Sequence, residues 1–140
     1  MREVTIDNGQ TCWVFGFTHY VRAAVNNVEK YLAKKGTKLV DQAATALTSE
    51  YRPDIDIIDE LGEEQASYHY SPIGVLCWIM ELGQADIYVE VSMMSSHLAL
   101  TCIDHMGQVL HVFMYLKECS NSKMVFDPSR VDFDMSPFAK

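Results

Sequence analysis

Two separate stretches of the chain place apolar residues at spacings of 4, 3 and 4: Val21, Val25, Val28 and Leu32, then Ile87, Val91, Met94 and Leu98. An α-helix turns once in about 3.6 residues, so each set forms a stripe along one face of a helix. A third set, Met106, Val109, Leu110, Phe113 and Leu116, lines the inner side of a helix over 104–118, with Asp104 as its expected cap. Apolar stripes of this kind have to be buried against one another, which makes the chain mainly α.

Around these helices the punctuation is local. Thr18 reads as the N-cap of the first helix, Lys34 and Lys35 suit its C-terminal dipole, and Gly36 suits the position just past its end. Before it, Val4 and Ile6 alternate with polar neighbours, Asp7-Asn8-Gly9-Gln10 signals a turn, and Thr11 to Phe15 returns as a β-rich run, so the N-terminus predicts a β-hairpin. A further helix is expected from about Glu63 to Leu82, with Ile73, Leu76, Cys77 and Met80 on one face. Pro72 lies inside it. Proline removes a helical donor and restricts the residue before it, so a kink or a helix start is expected at Ser71-Pro72. Met124 to Phe126 reads as one short strand, and residues 130–140 carry no recognisable element.

Composition sets outer limits. The chain has 140 residues, 49% apolar and 11% aromatic, enough to bury a modest core. Its longest apolar run, Ile73 to Met80, is too short to span a membrane, and an acid enters the N-terminus before any signal-like segment develops, so neither a membrane nor a secretory route is expected. The four cysteines (Cys12, Cys77, Cys102 and Cys119) include no C-x-x-C pair and fit reduced thiols in an intracellular protein. The formal net charge is −8. Between Asp41 and Glu64 there are eight acids and one base, so the rest of the chain is close to neutral. Acidity weakens a nucleic-acid reading, yet its source is one stretch. Residues 37–59, which carry most of it, read as a long surface connection of the kind that separates structural units.

Sought chemistry is mostly absent. There is no G-x-S-x-G, no Walker loop and no G-x-G-x-x-G. Cys102, His105 and His111, with His97 nearby, match no standard zinc spacing, and a structural or solvent-facing role is the expectation for them. Asp54, Asp56, Asp59 and Glu60 could offer oxygen ligands to a hard cation, but they lack a glycine-pinned ligand pattern and read as a solvated acidic loop. No cofactor and no metal are expected.

Tyr70, Gly74 and Trp78 recur every four residues and so stack along one stripe of a helix. A mid-helix glycine costs about 1 kcal/mol relative to alanine and often marks close approach by another backbone. A neighbouring helix or the sugar–phosphate edge of a duplex minor groove could supply it, and spacing alone favours the helix.

These residues carry a resemblance. Tyr70-Ser71-Pro72-Ile73-Gly74-Val75-Leu76, then Gln84-Ala85-Asp86-Ile87, His105 and Tyr115-Leu116-Lys117, resembles the region after the polymerase palm in copia-type retrotransposon polyproteins. Asn121 to Asp127 is similar to the strand leading into the ribonuclease H domain, and Trp13-Val14-Phe15 with Thr18 to Leu32 is similar to the segment upstream. The sequence departs from the family pattern at Pro72, at Gln84-Ala85 and at Leu100-Thr101. The resemblance implies a thumb and connection region, with Gly74 and Trp78 matching a glycine–aromatic pair that tracks the minor groove of primer–template duplex. It brings no catalysis. Polymerases need a carboxylate set typified by Tyr-x-Asp-Asp to hold two metals, and the chain has no Asp-Asp pair.

The resulting expectation is a mainly α (α+β) chain: a hairpin plus amphipathic helix over 1–38, an acidic linker over 39–62, a thumb-like bundle over 63–120, so about four helices in all, and a strand and tail over 121–140. Its expected role is non-catalytic grip of an RNA–DNA or DNA duplex, with the remaining polyprotein domains as partners. Tyr70, Gly74 and Trp78 would face the groove, and Lys30, Lys34, Lys35 and Lys38 would either approach phosphates or simply end a solvated helix. The alternative is a relict or repurposed reading frame, serving as a small interaction module or under no selection.

Overall fold

The computed structural model describes residues 2–5, 9, 11–39, 43–49, 51–52, 61–98, 102–121 and 123–126. Among the described residues, four α-helices and a small antiparallel sheet make up the fold. The strands are β1 (Arg2–Thr5), β2 (Thr11–Phe15) and β3 (Met124–Phe126), and the helices are α1 (Thr18–Lys34), α2 (Glu63–Glu81), α3 (Tyr88–Ser96) and α4 (Ile103–Glu118). A short 3-10 helix, Ala85–Ile87, leads into α3. β1 and β2 form the expected hairpin, with Val4 opposite Cys12. β3 returns from the far end of the chain to pair with β2, Trp13 opposite Phe126, giving the order β1-β2-β3.

The core lies between the helices. Val21, Val25, Val28 and Leu32 of α1 meet Ile73, Leu76 and Ile79 of α2, Val91 and Met94 of α3, and Val109, Val112, Phe113 and Leu116 of α4. The stripes read from spacing in α1, α3 and α4 are the buried ones, although Met106, Leu110 and Leu98 reach only partial burial. Across the helix ends, Lys117 of α4 pairs with Glu29 of α1 at 2.9 Å, and the Tyr115 hydroxyl donates to Asp86 at 2.6 Å. α1 and α2 both close in the same way. After Lys35 and Leu82, a left-handed glycine (Gly36, φ 75°; Gly83, φ 118°) lets the next residue's N–H reach back to Leu32 and Ile79 respectively.

Three local expectations need correction. The helix is not restarted at Ser71-Pro72: α2 runs unbroken through Pro72, which is buried and lines a recess with Ala24 and Val28 of α1. Burial of the ring offsets part of what the forfeited backbone bond costs, and the helix continues through it. Thr18 is the first helical residue rather than the cap; Phe17 takes the cap position, its ring 5.1 Å from that of Phe15, and accepts the Val21 N–H at 3.0 Å. In α4 the cap is Cys102, in extended backbone, whose N–H donates to Nδ1 of His105 at 3.5 Å. Asp104 instead sits inside the first turn, where its charge still suits the dipole.

The described part of residues 37–59 is mostly exposed and forms no helix or strand, yet it is anchored to the helices. Leu39, Ala43 and Ala46 are buried, the Thr45 carbonyl meets His111 Nε2 at 3.0 Å, and Gln108 donates to the Thr48 hydroxyl at 2.8 Å, so 43–49 is held against α4. The carboxylates of Asp54, Asp56, Asp59 and Glu60, Leu100-Thr101 and the tail beyond Phe126 lie outside the described residues.

A candidate nucleic-acid interface on α2

α2 has two unlike sides. His69, Pro72, Ile73, Leu76 and Ile79 are buried, so the residues a half-turn away must face outward. Those are Tyr70, Gly74 and Trp78. Tyr70 is 52% exposed and Trp78 58%, and a Cβ built on Gly74 would meet nothing within 4 Å. The stripe expected from spacing is therefore real, but no neighbouring helix covers it among the described residues. α3 flanks the stripe on one side. The Tyr70 hydroxyl donates to the Leu98 carbonyl at 3.4 Å, and the Cys77 thiol lies 3.5 Å from the Ser95 hydroxyl.

Tyr88 and Val89 of α3, 56% and 66% exposed, add apolar surface that the sequence reading passed over. The signal was present: once Ile87, Val91 and Met94 are assigned inward, residues 88 and 89 can only point away.

The lysines do not join this stripe. α1 and α2 run antiparallel, as three pairings along their length show. Tyr31 stacks on Tyr68 with centroids 3.3 Å apart, Ala24 and Val28 lie beside Pro72 and Val75, and Val21 lies beside Ile79. Lys34 and Lys35 end α1 and so lie toward the start of α2, while Trp78 is near its other end. Lys30, Lys34, Lys35 and Lys38 are all exposed, and the Lys35 ammonium rests 5.1 Å from the Tyr31 ring centre. Burial, and then the neighbouring Tyr31, pushes the Tyr68 phenol above its ordinary pKa, keeping it a neutral hydroxyl in this stack.

His105 is buried in α4 while His111, on another face, is only half-buried, and no group of three His, Cys, Asp or Glu among the described residues is placed to hold a metal ion. No described helix is long and apolar enough to cross a membrane. His69 went unnoticed in the sequence. It is 1% exposed, its Nδ1 makes no hydrogen bond among the described residues, and burial, with His105 nearby adding to it, holds its pKa below the ordinary imidazole range.

The chain matches no protein-family model, no curated protein and no solved structure.

Proposed function

We propose that the chain is a non-catalytic part of a copia-type reverse transcriptase, gripping primer–template duplex through the outward stripe of α2. One observation carries the reading: Tyr70, Gly74 and Trp78 are uncovered together, with open space over the glycine. A glycine at that point weakens the helix, and nothing among the described residues uses the room it leaves. A partner from outside that comes close to the α2 backbone, with an aromatic ring on either side of the gap, gives the glycine a use. The sugar edge of a minor groove is such a partner, and the resemblance of the motif order to copia-type polyproteins supports a duplex there.

The test is titration of the full chain with an RNA–DNA hybrid and with duplex DNA across a salt series. Affinity should fall on a log–log plot with a slope near −0.9 for each phosphate contacted. Trp78→Ala should cost about 2 kcal/mol of binding, the scale of a buried aromatic anchor. Absence of duplex affinity at low salt, or affinity indifferent to both salt and Trp78→Ala, would refute the proposal.

A second reading has its own support. The net charge is −8 and the lysine group lies toward the opposite end of α2 from Trp78, an arrangement suited to a protein partner at the same stripe. A folded, monodisperse chain without low-salt duplex affinity would favour it.

A further inference from the structure

At the start of α4 the acceptor for the Cys102 N–H is an imidazole nitrogen. His105, buried, is the third residue of the helix, and its Nδ1 lies 3.5 Å from the Cys102 nitrogen. In the usual capping box a Glu or Gln at this position supplies that acceptor. A backbone N–H can only donate, so Nδ1 holds a lone pair and the proton of the neutral ring sits on Nε2. His111, further along α4, is the opposite case. Its Nε2 meets the Thr45 carbonyl at 3.0 Å, and a carbonyl can only accept, so that nitrogen carries a proton whatever the charge of the ring.

Three other parts of the chain bring groups to His105. α2 brings the buried His69, and the end of α3 brings His97, its ring centre 5.9 Å away. Tyr51 meets the ring edge-on at 6.0 Å, with Arg52 next to it in the chain. On α4 itself stand the Cys102 thiol and the Asp104 carboxylate. Asp104 favours a positive charge on His105. His69, His97, Arg52 and the dipole of α4 oppose one. The Tyr51 contact also matters for attachment. Residues 43–49 and 51–52 are held on α4 by Thr45 at His111, Thr48 at Gln108 and Tyr51 at His105.

We propose that His105 is an acid-operated catch that holds this segment on the first turns of α4. A proton taken from water by Nδ1 converts the imidazole to an imidazolium. The Cys102 N–H loses its acceptor, and a cation enters the first turn beside two further imidazoles. That turn loosens and the Tyr51 contact goes with it. The His111–Thr45 bond needs no lone pair on the ring and holds, so release begins at the Tyr51 end. The catch uses no part of the α2 stripe and is independent of the duplex reading.

The experiment is amide hydrogen exchange on the full chain at pH 7.5 and 5.5, corrected for the intrinsic effect of pH on the exchange rate. An imidazole of ordinary pKa near 6.5, protonated only once the turn has opened, favours the open form about tenfold at pH 5.5. Peptides covering 48–52 and 103–107 should lose protection by about that factor, while the α1 peptide covering Val21 to Leu32 stays the more protected at both pH values. His105→Gln keeps an acceptor for the Cys102 N–H but cannot titrate, and should reduce the loss to about twofold or less. His111→Gln should leave it near tenfold. No acid-dependent loss in the unaltered protein, the same loss in His105→Gln, abolition of the loss by His111→Gln, or protection equal to that of α1 at pH 5.5 would each overturn the catch. A measurement on the unaltered chain covers the case in which His105→Gln does not fold. Nitrogen-15 NMR of the ring at pH 7.5 should show a bare Nδ1 and a protonated Nε2 at His105, and the reverse tautomer would overturn the proposal.

Discussion

Gly74 separates stability from binding at a single residue. It lies in mid-helix with nothing near the position its side chain would occupy. Gly74→Ala should therefore stabilise the protein by about 1 kcal/mol, the ordinary gain in helix propensity, with no clash to offset it. Urea denaturation measures that gain as a higher midpoint at unchanged slope. The same methyl would stand between the α2 backbone and a duplex, so affinity should fall as stability rises. A stabilised variant that binds duplex as well as before would remove the groove-facing role from Gly74. Trp78→Ala supplies the complementary check. With the ring 58% exposed, its loss should change stability by no more than about 0.5 kcal/mol, so any lost binding belongs to the interface.

At the scale of elements, α2 shows what local preference can and cannot decide. An interior proline costs a helix about 3 kcal/mol relative to alanine. Pro72 nevertheless sits in the middle of α2, buried against α1, and burial of an apolar ring recovers part of that cost. Pro72→Ala should restore an N–H to the helix while giving up ring contacts, for a net gain of about 1–2 kcal/mol in urea denaturation. A loss of stability instead would mean that the ring's packing against Ala24 and Val28 outweighs the backbone defect. The helices α1, α3 and α4 were legible because regularly spaced aliphatic residues leave one burial solution. α2 was less so, because Tyr70, Gly74 and Trp78 form a second non-polar stripe on its outer side, and period alone cannot say which stripe turns inward. The inner face proved to include His69, Pro72 and Ile79 as well, with Cys77 and Met80 half-buried against the core at its edge. Segment 43–49 was illegible for a related reason. It is held by isolated alanines and by hydrogen bonds from Gln108 and His111, partners more than fifty residues away that leave no local period. The strand at 124–126 could be read from composition, but its pairing with β2 depends on the path of the whole chain.

That path also gathers histidines that are distant in sequence, and the consequence belongs to the molecule as a whole. His69 comes from α2 and His105 from α4, while His97 directly follows α3; the rings of His97 and His105 lie 5.9 Å apart, and Tyr51 meets His105 edge-on at 6.0 Å. His69 resists protonation because burial penalises its charged form and His105 adds to that penalty. In the unfolded chain the same imidazole titrates near 6.5. Above that pH both states are neutral at this residue and it adds no pH dependence. Below it the unfolded chain takes up a proton that the folded one refuses, so the contribution of His69 to stability falls from about pH 6.5 down to the lowered folded value. Acidification also reduces the excess negative charge of a −8 chain, which relieves self-repulsion and acts in the opposite direction. Charge relief is spread over the surface, whereas the penalty at His69 is local, and this makes the two separable. Urea midpoints at pH 7.5 and 5.5 should show the unaltered protein losing stability on acidification. His69→Leu, which also removes a buried nitrogen without a described partner, should lose markedly less over the same interval. Equal losses in the two proteins would assign the acid sensitivity elsewhere, and a gain in the unaltered protein would show that surface charge, not the buried imidazole, governs how this fold responds to pH.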